Sequence, residues 1–272
     1  CIRDSDVAHQ MFARGKNKLD LTALHLTVGS DVNPLHTDNF EEVSFGPILY
    51  GAKKLGMHIH TRYEVSNNAG QDICDIVNNE GFDFLLVGSG ISMSDSPDDI
   101  AATRYRTSFY NRYFKRFKAP ESWFYPGALL KDKTKMFIAR SNCDVGVFIN
   151  RNFVKATNTL VVISSEEDLF LLDYTRTLLK ATHGSVGIVA KMSTTTPGHD
   201  QILKELWDFV SSTPQTQLLP DKDLTPGLFN SYNFMLIGYN TWNDVSEHRK
   251  EALQKMPSTL ILNKNKRSSS DN

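Results

Sequence analysis

The segment Phe82–Gly90, FDFLLVGSG, constrains this chain more than any other: a run of large apolar residues, uncharged after Asp83, stops on Gly88-Ser89-Gly90. Its length and its lead-in, Asn78-Asn79-Glu80-Gly81, predict a strand buried on both faces, which implies a parallel sheet covered by helices. In an open parallel sheet the ligand crevice lies beyond the carboxyl ends of the strands, so the glycine turn stands where a ligand could dock.

The 272 residues, 40% of them hydrophobic, can bury the cores of two ordinary domains. A formal net charge of -1 gives no general pull toward nucleic acid. The three cysteines, Cys1, Cys74 and Cys143, lie far apart, with neither a disulfide framework nor zinc-ligand spacing, which fits a reducing cytosol. No apolar run reaches the roughly 20 residues of a membrane-spanning helix. The visible chain is therefore expected to be soluble, and its start at Cys1 suggests a piece of a longer protein.

Residues 1–20 are polar apart from Val7, Met11 and Phe12 and read as a connector. From Leu21 the pattern alternates. Leu21–Val28 is a strand, and Phe45, Ile48, Leu49, Ala52 and Leu55 mark a helix stopped by Gly56. Met57–Val65 is a second strand, Ala69, Ile73, Ile76 and Val77 mark a second helix, and the Phe82 strand follows. Such alternation predicts a doubly wound α/β layer. Residues 91–126 interrupt it, far exceeding the usual connection of about 2–6 residues. Helical spacing resumes at Leu129, Leu130, Phe137 and Ile138, before the strand Asp144–Asn150.

The same grammar then restarts. Thr159–Ile163 is a strand, Ser164-Ser165-Glu166-Glu167 a helix start, and Leu171, Leu172, Leu178 and Leu179 a helix ended by Gly184. Ser185–Ala190 is a strand, and Ile202, Leu203, Leu206, Phe209 and Val210 form an amphipathic helix. Asn233–Gly238 repeats the Phe82 strand with its terminal glycine, and Ser258–Asn263 repeats the Asp144 strand. The chain thus reads as one α/β unit written twice: residues 21–154 with the 91–126 insertion, residues 155–263, and a solvated tail at 264–272.

Three pieces carry a family resemblance: LLVGSG at Leu85–Gly90, PGALL at Pro126–Leu130 and SNCDVGVFINR at Ser141–Arg151. Each half resembles a universal stress protein domain. Two degenerate copies in tandem are similar to the cytosolic C-terminal region of cation/proton antiporters. The resemblance implies a regulatory region on the cytoplasmic face of a membrane, a transmembrane antiporter domain in the same full-length chain, and a homodimer. A free-standing adenine-nucleotide-binding stress protein is the alternative.

In nucleotide-binding members of that family a first-strand aspartate and a glycine-rich loop hold the ligand, because glycines admit close backbone approach and amides attract phosphate. The corresponding positions are Thr27, Gly29 and Ser30 after the first strand, then Gly88, Ser89, Gly90 and Gly127. The resemblance would make ATP, AMP or a cyclic dinucleotide the ligand. The chain departs from the pattern: Thr27-Val28-Gly29-Ser30 replaces Val-Asp-x-Ser, the insertion separates Gly90 from Gly127, and Ala128 takes a Ser/Thr place. The same glycines also suit plain tight turns.

Within the insertion Arg104, Arg106, Arg112, Lys115, Arg116 and Lys118 interleave with Tyr105, Phe109, Tyr110, Tyr113, Phe114 and Phe117, with no acidic residue between Ala101 and Ala119. A basic amphipathic helix of this kind could lie on anionic headgroups, pack on a partner, or bury its aromatic face on its own domain. The net charge gives no support for nucleic acid. His58 and His60 share one face of a strand without a third ligand suggested by spacing, and could supply a pH response. No nucleophile elbow, phosphate-binding Walker loop, zinc motif or kinase signature is present, so no catalytic residue or metal site is expected.

Overall fold

The computed structural model describes residues 7–8, 10–11, 20–28, 37–88, 133–151, 153–192, 197–220, 224–248 and 255–265. The second repeat is the more regular. It runs β5 (Asn158–Ile163), α4 (Leu171–Thr182), β6 (Ser185–Ala190), α5 (His199–Ser212), β7 (Thr216–Pro220), α6 (Pro226–Phe229), β8 (Phe234–Gly238), α7 (Tyr239–His248) and β9 (Ser258–Asn263). Its strands lie in the order β9-β8-β5-β6-β7, all parallel to one another. The chain moves outward from β5 on one side and returns to β8 on the other, which is a doubly wound sheet.

Continuous apolar runs are what such a strand needs, since both faces are covered. Val161 and Ile163 of β5 join one core with Leu171, Leu178, Ile202, Leu206 and Phe209 from α4 and α5. Leu160 and Val162 join the core on the other face with Phe229, Trp242 and Val245 from α6 and α7. The strand β7, a short Thr-Gln-Leu-Leu-Pro segment, and the one-turn α6 were not expected from the sequence.

The first repeat is β1 (Leu21–Val28), α1 (Thr37–Lys54), β2 (Ile59–Ser66), α2 (Ala69–Glu80), β3 (Phe84–Gly88), α3 (Lys133–Arg140) and β4 (Asp144–Ile149). Asn68 caps the start of α2 by accepting from the Gln71 amide, and Gly81 ends it in the left-handed region at φ 68°. Only Gly81, Phe82 and Asp83 separate α2 from β3, so no counterpart of β7 fits there. β1 and β2 form their own parallel pair, while β3 pairs parallel with β4. Leu24 and Leu26 of β1 nevertheless pack on the same core as Leu85 and Val87 of β3.

Two expectations need correction. The Phe82 strand was expected to be buried on both faces, but β3 is half-buried along its length whereas its counterpart β8 is fully buried. The reason is lateral: β8 lies between β5 and β9, whereas among the described residues β3 has a ladder only to β4. Nor does each repeat keep a separate sheet. The last strands of the two repeats pair antiparallel, Val145↔Asn263 through Ile149↔Thr259, which makes one seven-stranded sheet, β3-β4-β9-β8-β5-β6-β7. The connector residues join it too: Val7 and Met11 are buried in the α4/α5-side core, and Gln10 Oε1 accepts from the Ala156 amide at 3.0 Å.

The end of α4 also differs in detail from expectation. The residue in the left-handed conformation is His183 (φ 53°), whose amide donates to the Leu179 carbonyl, while Gly184 serves a close approach. A Cβ on Gly184 would overlap the Thr157 carbonyl oxygen and sit 2.9 Å from its carbon, and Ser185 N donates to that same carbonyl at 2.8 Å. Backbone on both sides leaves little to yield, so Gly184→Ala is expected to cost about 1–3 kcal/mol. Urea unfolding checks this, and an unchanged midpoint would contradict it.

Candidate functional site

In a doubly wound sheet the chain's reversal leaves a crevice beyond the carboxyl ends of the two strands that flank it. In the second repeat those strands are β5 and β8. β5 runs into Ser164 and Ser165, then a single 3-10 turn, Glu166–Asp168. β8 ends on Gly238 and passes directly into α7, whose first turn carries Thr241.

Asp168 fills the space between them and is 2% exposed. Its Oδ2 accepts from the Ser164 amide (2.9 Å), the Ser165 amide (3.2 Å), the Ser164 hydroxyl (3.2 Å) and the Thr241 hydroxyl (2.6 Å). The two hydroxyls also touch each other. On the β8 side a Cβ added to Gly238 would overlap Asp168 Oδ1, so only glycine admits the carboxylate there. At the rim Asn240 Nδ2 donates to Glu167 Oε2 at 2.7 Å, and Lys191 pairs with Asp244 at 3.2 Å. The arrangement is a set of donors closed around a carboxylate. The Ser164 amide and hydroxyl and the Ser165 amide are all held by the one Asp168 oxygen.

The sequence pattern marks Ser164-Ser165-Glu166-Glu167 as a helix start, with Asp168 next in the acidic run. It did not anticipate that Asp168 is buried, because Gly238 and Thr241, which create its niche, lie far along the chain.

In the first repeat the proposed phosphate positions are only partly in view. Thr27 lies near the carboxyl end of β1, opposite Val65 of β2, and Gly88 ends β3 opposite Phe148 of β4. Gly88 thus holds the place that Gly238 holds in β8, opposite Leu262 of β9. Gly29, Ser30, Ser89, Gly90 and Gly127 lie outside the described residues. So do Arg104, Arg106, Arg112, Lys115, Arg116 and Lys118.

The histidines and cysteines are better defined. His58 and His60 meet with ring centroids 4.8 Å apart, and Asp20 supplies the carboxylate that spacing did not suggest, 3.3 Å from His60 Nε2 on the exposed surface. Among the described residues no group of His, Cys, Asp or Glu is arranged to hold a metal. His25 of β1, not singled out from the sequence, stacks on Tyr63 at 5.7 Å and meets Phe45 edge-on at 6.2 Å, and burial lowers its pKa. Cys74 and Cys143 are free thiols in the first-repeat core. Burial raises both, Cys143 to about 11, with Asp144 adding to it, so neither is a reactive thiolate. Two surface depressions, about 220 Å³ beside Arg62 and Asp72 and about 270 Å³ beside Arg151 and Tyr232, are smaller than the roughly 300 Å³ of an ordinary ligand pocket.

No protein-family model and no curated protein sequence matches the chain. Solved structures do. The chain is similar to a universal stress protein from Archaeoglobus fulgidus DSM 4304, with a TM-score of 0.53 at 11% identity over 91% of this chain and 86% of that one. It is similar to the cytoplasmic domain of a prokaryotic cation chloride cotransporter, with a TM-score of 0.53 at 10% identity over 97% of this chain and 91% of that one. It is also similar to a functionally unknown protein from Pseudomonas aeruginosa PAO1, with a TM-score of 0.50 at 11% identity over 96% and 87%. At such identities the likeness is one of fold: the chain has the α/β fold of the universal stress proteins.

The His25 environment carries a pH consequence. Its folded pKa is depressed below 6.5, so on acidification the unfolded chain takes up the proton first. Stability present above about pH 6.5 is therefore lost as pH falls below it. His25→Phe, which keeps an aromatic ring against Tyr63 and Phe45, should flatten the fall in melting temperature between about pH 7.5 and 5.5. An equal fall in both proteins would contradict this.

Proposed function

We propose that this chain is the cytosolic regulatory region of a membrane cation/proton antiporter, biasing transport by a membrane domain in the same full-length protein. The observation that carries the reading is the likeness to a transporter's cytoplasmic domain, which spans 97% of this chain and 91% of that one. The chemistry agrees with a sensing role: the polar side chains at the second repeat's crevice hold one another, and the described thiols are buried and protonated. Among the described residues no helix is long and apolar enough to cross a membrane; in this reading the ion path lies in the membrane domain.

In this reading the stimulus is a ligand, pH or a partner. The first repeat offers Thr27 and Gly88 at strand ends for an adenine nucleotide or cyclic dinucleotide. His25, whose pKa burial lowers, offers a response to pH. A second reading, a free-standing adenine-nucleotide-binding universal stress protein, is favoured by the equal likeness to the Archaeoglobus fulgidus structure.

The coding sequence upstream of Cys1 separates the two: the antiporter reading expects several apolar helices of about 20 residues each, and a nearby start codon would contradict it. In proteoliposomes holding the full-length protein, removing residues 21–263 should leave cation-driven proton flux present but alter its response to pH or adenine nucleotide. Unaltered flux under every condition would end the regulatory reading. Calorimetry of this chain with ATP, AMP and cyclic dinucleotides tests the ligand, and the absence of heat with all three would remove it.

A further inference from the structure

We propose that Asp168 is an internal ligand: its carboxylate occupies the anion position at the reversal crevice of the second repeat, which the chain thereby closes to a phosphate-bearing ligand. The position is the one where doubly wound sheets take ligands, between the carboxyl ends of β5 and β8. The donors are those an incoming anion would use, two backbone amides and two hydroxyls converging on one oxygen.

A helix-capping role alone does not account for this. A carboxylate at the third position of a capping box needs only the amide of the capping residue, here Ser165. Asp168 additionally draws on Ser164 and on Thr241 from the other side of the crevice. It also rests where Gly238 leaves room for an oxygen and for nothing larger on the strand. Glycine at the end of β8 therefore serves the chain's own carboxylate. A phosphate in this place would have to displace Asp168 and then sit beside Glu166 and Glu167, whose negative charge opposes it. The assignment of Asp168 does not depend on the regulatory reading above.

The test is chemical rescue in this chain. Asp168→Ala removes the carboxylate and keeps the niche, so its melting midpoint should fall. Sodium formate at about 0.1 M should raise that midpoint by about 2–4 °C more than equimolar sodium chloride does, and should leave the wild type unmoved. An equal response to formate and chloride overturns the proposal. Asp168→Asn, which keeps the volume and loses the charge, guards against a variant that does not fold: its midpoint should lie well below the wild type's, and a match would show the group to be filler. Gly238→Ala should lower the midpoint in the wild type and add little in the Asp168→Ala background; additive losses overturn the shared niche. A failed rescue leaves the transporter reading standing. Absence of nucleotide heat in the wild type removes the ligand and leaves Asp168 where it is.

Discussion

The antiparallel pairing of β4 with β9 holds the molecule together. A strand at the edge of a sheet exposes a row of unpaired amides and carbonyls, and each repeat would end on such an edge if it stood alone. Here the two edges satisfy each other from Val145↔Asn263 to Ile149↔Thr259. β4 also feeds all three cores, with Phe148 in the first, Val147 and Ile149 in the second and Val145 in the third. Polar contacts cross the same line: Tyr174 of α4 donates to Asp144 of β4 at 2.9 Å, and the Asn265 amide donates to the other Asp144 oxygen at 2.8 Å. The segment between the repeats is built in as well, with the Arg151 amide donating to Ser258 and the Phe153 amide to Asn150.

Fusion through one sheet frees the repeats to differ. The second repeat has an outer strand, β7, and a crevice filled by its own Asp168. The first goes straight from α2 to β3, and its β1–β2 pair is held to β3 by side-chain packing among the described residues, not by a ladder. Val7 and Met11, buried in the α4/α5-side core, tie the incoming chain to the sheet.

Much of this was legible in the sequence because the strands of a helix-covered sheet leave apolar or alternating runs bounded by turn residues. Leu21–Val28 matches its strand residue for residue, and the repeated Asn233–Gly238 and Ser258–Asn263 runs locate β8 and β9. Other features were not legible, each for a physical reason. Pattern shows that a strand is buried but not which strand lies beside it, so the β4–β9 seam was invisible. β7, five residues reading Thr-Gln-Leu-Leu-Pro, is too short to stand out from the polar residues around it. Asp168 looks like any acidic residue at a helix start until Gly238 and Thr241 are brought against it. His25 sits inside an apolar strand, and only Tyr63 and Phe45 reveal why its ring is held there.

If the seam makes the two repeats one cooperative body, native-state amide hydrogen exchange reads it directly. The amides of β4 and β9 should exchange only with global unfolding, at the same free energy as those of β5 and β8. Early exchange along β4 and β9 while β5 and β8 stay protected would mean that the repeats open apart from each other, and would contradict the account.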